Sequence, residues 1–336
     1  RCLCGRAAAT RQIVYADCVD DRHDLRYSGM LPHGHYCVPI LSDRDLLGVL
    51  NLYVKNGHEK TPDEERFLTA VANVLAGIIK RKQAEETLRN RDVQLIAAQR
   101  IQEHLLPRSD PAVPGFDIAG ASFPAEFAAG DHFDYLHLPD GALGIVVGDV
   151  SGHGFSSALL MASTSAHLRS FAEEHTDVEE ILVHTNSLLC RETEEGRFVT
   201  LFFAHLDPAS RVLHFVSAGH PSGYVLDQSG KVKREMKSSR VPLAILPESD
   251  FPVSAPIRLE AGDVVVLVTD GILEAASPEG VFFGTQRMLE IVRAHRHQKA
   301  GEIIETLQLA VRDFIQRAQP TDDVTAVVIK VDPGPG

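Results

Sequence analysis

The chain has 336 residues, of which 44% are hydrophobic and 24% charged, and its formal net charge at pH 7 is −13. This composition is ordinary for a globular protein, and the length allows two domains. The acidic balance argues against a nucleic-acid partner, because such binding depends on cationic contacts to phosphate. No apolar run approaches the roughly 20 residues that span a bilayer, so we expect no membrane association. The five cysteines, an odd number without a secretory signal, favour a cytoplasmic location.

Residues 1–60 contain three strand-like runs, "QIVYA", "YCVPI" and "LLGVLNLYV", separated by turn-forming segments. A helix start follows, since Thr61 and Glu64 have the spacing of a capping box and Pro62 occupies the first helical position. The helical pattern then continues without a stop signal to Leu106, where "LPRSDPAVPG" ends it. The sequence therefore predicts one long helix.

The later part of this helix has the three- and four-residue spacing of a coiled-coil seam, although several seam positions are polar or small. The seam consists of Val74, Gly77, Arg81, Ala84, Leu88, Arg91, Leu95, Ala98, Gln102 and Leu105. Two interpretations remain open: an amphipathic helix packed on one domain, or a parallel helix pair that joins two domains in a homodimer. We predict the homodimer through this linker helix.

From Phe116 onward the pattern changes to short strands and helices. The strand candidates are "FDIAGASF", "FDYLHL", "LGIVVGD", "FVTLFFAHLD", "VLHFVSAG", "GYVLD", "DVVVLVTD" and "VTAVVIKV". Helices are predicted near residues 156–175, 177–193, 285–295 and 301–317, the second with a capping box of Thr176 and Glu179. Hairpin-like strands in succession, with helices in blocks, indicate an α+β layered fold.

Aspartates stand beside four of these strands, each in a turn of small residues. They occur in "AAGDHFDY" (Asp131), "VVGDVSGHG" (Asp149), "VLVTDGILEA" (Asp270) and "QPTDDVTAVVI" (Asp322 and Asp323). A carboxylate at the end of a buried strand is costly unless it is paired or coordinated. Each aspartate alone would also be explained as a cap of a turn or helix. Together they favour a hard divalent cation, because Mg²⁺ and Mn²⁺ prefer oxygen ligands.

The order of these motifs resembles the metal-dependent PPM-type Ser/Thr phosphatases, and most closely their SpoIIE-like and RsbU-like bacterial branch. The resemblance spans about residues 95–331 and includes "AAGDHFDY", "GDVSGHG", "SAGHP", "TDGILEA" and "TDDVTAVVI". It implies an α-β-β-α layered sandwich of two antiparallel sheets flanked by helices. It also implies a centre of two Mn²⁺ or Mg²⁺ ions bridged by a water.

The resemblance implies a metal-binding role for five positions, namely the carboxylates of Asp131, Asp149, Asp270 and Asp322 and the backbone carbonyl of Val150. Asp149 would bridge the two ions. Asp323 would support the ligands without binding an ion. His153, in the glycine-rich turn, could act as general acid to the leaving group or could order the loop. The chain departs from the family pattern in having Ala129 where the family usually has glycine.

The implied reaction is hydrolysis of a protein phosphoserine or phosphothreonine by a metal-activated water. Cys190 does not begin a Cys-x5-Arg loop, because the sixth residue after it is Gly196 and not an arginine. The sequence therefore does not support a mechanism with a covalent cysteine intermediate at this position. By resemblance, the substrate would be a phosphorylated regulatory protein such as a STAS-type anti-anti-sigma factor. Two alternatives remain: a catalytically silent signalling module, and a two-metal phosphodiesterase acting on a small nucleotide.

Residues 1–80 resemble the C-terminal part of a GAF domain, a small-molecule-sensing fold, through "HGHYCVPILSDRDLLGVLNLYV" and "FLTAVANVLAGIIKRKQAEE". We therefore expect a GAF-like sensor in 1–80, a helical linker in 81–106 and the phosphatase domain in 107–333. A chain that starts inside a domain would explain the short sensor. This region is also rich in possible metal ligands, but their spacing matches no zinc template, and buried thiols are the alternative. The residues are Cys2, Cys4, Cys18, Cys37, His23, His33 and His35.

Overall fold

The computed structural model describes residues 2–23, 29–125, 129–152, 155–193, 196–316 and 322–332. Side chains are not described at 91–92, 94–104 and 155. The chain divides into two compact units, Arg1–Val93 and Gln94–Gly336. Among the described residues, no helix combines the length and the apolar character needed to cross a membrane.

The first unit is a small antiparallel sheet with helices, in the sheet order β1-β2-β3. Its elements are α1 (Leu3–Thr10), β1 (Val14–Ala16), β2 (His33–Ser42), β3 (Asp45–Lys55) and the first part of α2 (Pro62–Leu105). The predicted capping box of α2 is confirmed, because Glu64 N donates to Thr61 Oγ1 and Thr61 N donates to Glu64 Oε2, each at 3.3 Å. Helix α1 was not predicted, since eight residues give too little periodic signal.

The first turns of α2 pack on one face of this sheet. The buried residues of the cluster are Tyr36, Val38, Ile40, Leu68, Ala72 and Ala76. On β2 they alternate with His33, His35 and Cys37, so the histidines and the cysteine share the opposite face. Leu3 and Ala7 of α1 pack with Cys37 on that second face.

The second unit contains two five-stranded antiparallel sheets, ordered β10-β9-β12-β13-β4 and β11-β8-β7-β6-β5. The strands are β4 (Phe116–Phe123), β5 (His132–His137), β6 (Leu143–Val150), β7 (Val199–Asp207), β8 (Val212–Ala218), β9 (Gly223–Leu226), β10 (Val232–Met236), β11 (Ile257–Arg258), β12 (Val264–Val268) and β13 (Val324–Val331). The helices are α3 (Phe155–Glu174), α4 (Val178–Glu192), α5 (Asp270–Leu273), α6 (Gly284–His295) and α7 (Ala300–Ile315).

Three hydrophobic clusters define four layers, which confirms the predicted α-β-β-α sandwich. The central cluster lies between the sheets and joins residues such as Ile145, Phe202, Leu267 and Val327. One outer cluster packs α6 and α7 on the first sheet, and the other packs α3 and α4 on the second. Each sheet is therefore covered on both faces, which explains why its strands are near-continuous apolar runs.

The predicted capping box of Thr176 and Glu179 is wrong. Helix α4 begins at Val178, and its N-cap is Asp177, whose carboxylate accepts a 2.9 Å hydrogen bond from Glu179 N. An aspartate is at least as good an N-cap as threonine and adds a negative charge beside the helix N-terminus. The short elements β10, β11 and α5 were also missed, because two to five residues carry too little pattern.

Candidate metal centre

Strand alternation brings polar residues from both sheets to one end of the sandwich. On β6, Ile145 and Val147 face the central core, and Asp149 continues the same face. On the other sheet, Val327 faces the core, and the same alternation leads back along the chain to Asp323. The two carboxylates therefore approach one another from opposite sheets.

Thr269 joins the two sheets at this end. Its buried Oγ1 donates a 2.6 Å hydrogen bond to Asp131 Oδ2. The same Oγ1 accepts a 3.1 Å hydrogen bond from Thr325 N. Thr269 directly precedes Asp270, so the segment that carries one carboxylate also orients another.

Asp323 holds the loop that leads to Asp131. Its two carboxylate oxygens accept backbone hydrogen bonds from Ala125 N at 2.8 Å and from Gly130 N at 2.7 Å. Asp323 is buried, and both of its oxygens are occupied by these donors. This arrangement fits a supporting carboxylate, while the neighbouring Asp322 is exposed.

Two glycines permit the close approach of the segments. A Cβ on Gly130 would lie 3.0 Å from Asp149 Oδ1 and 3.0 Å from the carbonyl oxygen of Val150. The two oxygens therefore converge at Gly130. A Cβ on Gly271 would collide with the backbone carbonyl of Asp323, so only glycine lets the segment after Asp270 pack against the start of β13.

The carboxylates raise one another's pKa values. Burial, and then the charges of Asp270 and Asp322, raise the pKa of Asp149 to about 8. Burial and the charge of Asp149 hold the pKa of Asp131 well above its ordinary value. Burial and Asp322 raise the pKa of Asp270. Asp131, Asp149, Asp270 and Asp322 therefore lie close enough to interact electrostatically.

No lysine or arginine among the described residues forms an ion pair with Asp131, Asp149 or Asp270, whereas Arg169 pairs with Asp134 on β5. The described carboxylates also do not form a compact trio, because no three of them place one oxygen each within 4.8 Å of one another. No cation among the described side chains therefore compensates the negative charge of these three carboxylates.

Histidines of two motifs are candidates for proton transfer or packing. His153 lies outside the described residues. His220 is fully buried, its Nδ1 lies 3.0 Å from Thr200 Oγ1, and burial lowers its pKa to about 3. A ring that stays neutral in this way is suited to packing and not to proton transfer near neutral pH.

Sequence reasoning missed Thr269 and Arg169. Thr269 follows Val265 and Leu267 on the core-facing side of β12, so strand alternation alone would have placed it inward. Arg169 on α3 donates to Asp134 Oδ2 and to the carbonyl oxygen of Leu105, both at 2.6 Å. No sequence pattern indicates that second contact, because 64 residues separate the partners.

The structure separates the cysteines and histidines of the first unit. The Sγ atoms of Cys4 and Cys37 lie 3.5 Å apart. His23, His33 and His35 form a different cluster, which no cysteine of the described residues joins. Cys2 is exposed and Cys18 half-buried.

Two family models match the chain. Residues 139–332 match the model described as Stage II sporulation protein E (SpoIIE), which covers Asp149, Asp270 and Asp322 but begins after Asp131. Residues 1–80 match the model of the GAF domain.

Curated relatives agree with these matches. The chain is 24% identical over 294 residues to phosphoserine phosphatase RsbU of Bacillus subtilis, covering 85% of this chain and 86% of RsbU. It is 27% identical over 264 residues to protein IcfG of Synechocystis sp., covering 70% of this chain and 41% of IcfG. The chain thus spans less than half the length of IcfG.

Solved structures share the fold of the second unit. The RsbU and RsbW domains of Rv1364c from Mycobacterium tuberculosis give a TM-score of 0.58 at 27% identity, covering 69% of this chain and 64% of that one. The PP2C domain of SiaA from Pseudomonas aeruginosa gives a TM-score of 0.64 at 24% identity, covering 74% and 99% respectively. The chain therefore belongs to the SpoIIE family and carries a PPM-type protein serine/threonine phosphatase domain that follows a GAF domain in the sequence.

Proposed function

We propose that this chain hydrolyses phosphoserine or phosphothreonine in a regulatory protein, with divalent cations bound by Asp131, Asp149, Asp270 and Asp322. One observation carries the proposal: burial, and then the charges of Asp270 and Asp322 beside the opposite sheet, raise the pKa of Asp149 to about 8. Since like charges that face one another are stable only when neutralised, this geometry has the properties of a cation site.

The donor set fits Mg²⁺ or Mn²⁺. Every candidate ligand is an oxygen: four carboxylates and the carbonyl of Val150, which meets Asp149 at Gly130. Hard cations prefer such ligands. The resemblance to the PPM-type phosphatases is the reason to propose two ions, with Asp149 as a ligand of both.

The bound ions would supply a hydroxide near neutral pH and neutralise charge on the phosphoryl oxygens. The chain's own residues would fix the geometry. Thr269 holds Asp131 through Oγ1, and Asp323 holds the loop at Gly130, so hydrogen bonds within the chain orient Asp131. Preorganisation of this kind lowers the cost of assembling the site.

The proposed substrate is a phosphorylated STAS-type anti-anti-sigma factor. Support comes from the family and from RsbU, whose name states a phosphoserine phosphatase and which this chain matches over 86% of its length. We further propose that the GAF domain controls this activity in response to a small molecule.

We also propose a homodimer through α2. Apolar side chains on its described part remain exposed within the first unit, among them Phe67, Val74 and Leu88 at 67%, 63% and 60%. These three share one phase of a seven-residue repeat, with Arg81 at the remaining position. Leu88→Asp should convert dimers to monomers in light scattering. The control Lys82→Asp, at an exposed position outside this repeat, should leave the dimer intact. A monomeric parent chain at micromolar concentration would contradict the dimer.

The activity is tested by hydrolysis of p-nitrophenyl phosphate and of a phosphoserine protein panel, each with Mn²⁺, Mg²⁺ or EDTA. We expect cation-dependent release of phosphate by the parent chain and by Asp313→Asn, a change of an exposed aspartate on α7. Asp149→Asn should be inactive while keeping its circular dichroism. Equal turnover by Asp149→Asn, or full activity in EDTA, would contradict the proposal. Hydrolysis of phosphodiesters alone would favour the nucleotide alternative.

A further inference from the structure

Three histidines of the first unit meet at one point. His33 and His35 lie on the same face of β2, and His23 lies in the segment after β1. One ring nitrogen of each lies within 4.8 Å of a ring nitrogen of both others. The ring centroids are 4.5 Å apart for His33 and His35 and 4.9 Å apart for His23 and His35.

Hydrogen bonds fix the orientation of the two rings on β2. His33 Nδ1 lies 2.6 Å from the carbonyl oxygen of Leu31, and His35 Nδ1 lies 3.3 Å from Asn51 Oδ1. Asn51 Oδ1 also accepts a 3.4 Å hydrogen bond from Cys37 Sγ. This second donor agrees with the orientation of the Asn51 side-chain amide, in which the oxygen faces His35. Because both acceptors are oxygens, Nδ1 carries the proton and Nε2 keeps a free lone pair.

His23 has a carboxylate behind it. Its Nδ1 accepts a 3.1 Å hydrogen bond from Asp20 N and lies 3.4 Å from Asp20 Oδ1. The other oxygen of this carboxylate, Asp20 Oδ2, accepts a 2.7 Å hydrogen bond from Arg22 Nε. Because Asp20 N–H donates to His23 Nδ1, the neutral ring carries its proton on Nε2; for Nε2 to bind a cation, this proton must leave Nε2, and Nδ1 can take it up facing Asp20 Oδ1. A carboxylate that accepts from the far nitrogen is the usual support of a metal-bound histidine.

The three Nε2 atoms are buried and have no hydrogen-bond partner among the described residues. His23 and His35 are only 9% and 7% exposed. A buried polar atom left unpaired costs about 1–3 kcal/mol, so three in one place call for a common ligand.

We propose that His23, His33 and His35 bind a divalent first-row transition metal ion, with Zn²⁺ the best-matched cation. Neutral imidazoles suit Zn²⁺ and its neighbours, whereas Mg²⁺ and Mn²⁺ prefer oxygen. Zn–N bonds of about 2.0–2.1 Å require ring nitrogens about 3.3 Å apart in tetrahedral geometry, so the rings close inward on binding. Three protein ligands leave the fourth position open to water or a small ligand. This site is separate in sequence and in ligand chemistry from the carboxylate centre of the second unit.

The test uses the full chain, stripped with EDTA and returned to excess Mg²⁺ so that the carboxylates are occupied. Zn²⁺ affinity is measured by competition with a chromophoric chelator, and Co²⁺ serves as a spectroscopic probe. We expect one Zn²⁺ per chain and visible Co²⁺ bands in the parent and in His297→Gln, which changes an exposed histidine outside the cluster. His33→Gln and His35→Gln should lose both signals.

A variant with an intermediate expected effect on Zn²⁺ affinity distinguishes loss of a metal ligand from general disruption of the fold. Asn51→Ala removes the hydrogen-bond partner of His35 and should weaken Zn²⁺ binding by about 10–100-fold, whereas loss of a ligand should weaken it further. The half-exposed His33 makes His33→Gln the variant that folds most readily, and circular dichroism checks this. Equal Zn²⁺ stoichiometry and affinity in parent and His33→Gln would overturn the proposal. So would the absence of Co²⁺ bands in the parent, a result that needs no variant.

Discussion

Thr269 Oγ1 donates a 2.6 Å hydrogen bond to Asp131 Oδ2 and thereby connects the two sheets of the sandwich at their carboxylate-rich end. Both residues are almost fully buried, so water cannot replace the bond. Thr269 also sits one residue before Asp270. The position of the two carboxylates is thus coupled through one hydroxyl group.

Thr269→Val keeps the shape of the side chain but removes the donor. We expect metal affinity to fall by roughly tenfold, since a hydrogen bond to a charged group contributes about 1.5–3 kcal/mol. The cation concentration for half-maximal phosphatase rate should therefore rise more than the maximal rate falls. Thr269→Ser, which retains the hydroxyl, should resemble the parent. An unchanged half-maximal concentration in Thr269→Val would show that this bond does not orient the ligand.

Asp149→Asn should stabilise the metal-free chain while abolishing activity. The folded-state pKa of Asp149 is raised to about 8, above the value of about 3.9 in an unfolded chain. The parent therefore loses stability in EDTA as pH rises from about 4 through 8, by an amount on the order of 1–3 kcal/mol. Thermal unfolding in EDTA at pH 8.5 measures this. We expect Mg²⁺ to raise the melting temperature of the parent and to leave that of Asp149→Asn nearly unchanged; the reverse order would contradict a cation site.

Arg169→Ala should destabilise the second unit by about 1–3 kcal/mol, because it leaves the nearly buried carboxylate of Asp134 without its arginine. Although burial opposes ionisation, His132 and Arg169 hold the pKa of Asp134 below its ordinary value. Arg169→Lys keeps the charge and should lose less. Urea unfolding compares both with Arg312→Ala, a change of an exposed arginine on α7. Equal midpoints for Arg169→Ala and Arg312→Ala would rule out a structural role for this ion pair.

His220 should make the protein sensitive to acid. Burial lowers its folded-state pKa to about 3, whereas an unfolded histidine titrates near 6.5. Between these values the unfolded chain binds a proton that the folded chain does not, so the free energy of unfolding decreases as pH falls. Between pH 6.5 and pH 4, the free energy of unfolding should fall by about 2–3 kcal/mol more in the parent than in His220→Gln. His297→Gln serves as the control. Parallel pH profiles for the parent and His220→Gln would mean that His220 is not kept neutral by the fold.

The layered fold was predictable because strands covered on both faces read as apolar runs, and the strands β4 and β13 have the predicted bounds. The positions of Asp131, Asp149, Asp270 and Asp322 beside strands were also readable from sequence. The role of Thr269 was not recognised, although strand alternation on β12 carries the signal. The contacts of Asp323 with Ala125 and Gly130 join residues nearly 200 positions apart, and no local pattern specifies them. The choice of Asp177 over Thr176 as N-cap depends on one backbone conformation.

The central claim is that carboxylates from two sheets hold divalent cations at one end of the sandwich. The most direct measurement is anomalous X-ray diffraction from crystals of the full chain soaked in Mn²⁺. The account predicts two Mn²⁺ peaks, both within bonding distance of Asp149, with Asp131, Asp270 and Asp322 as further ligands. Crystals that take up Mn²⁺ elsewhere, with no anomalous peak beside Asp149, would contradict it.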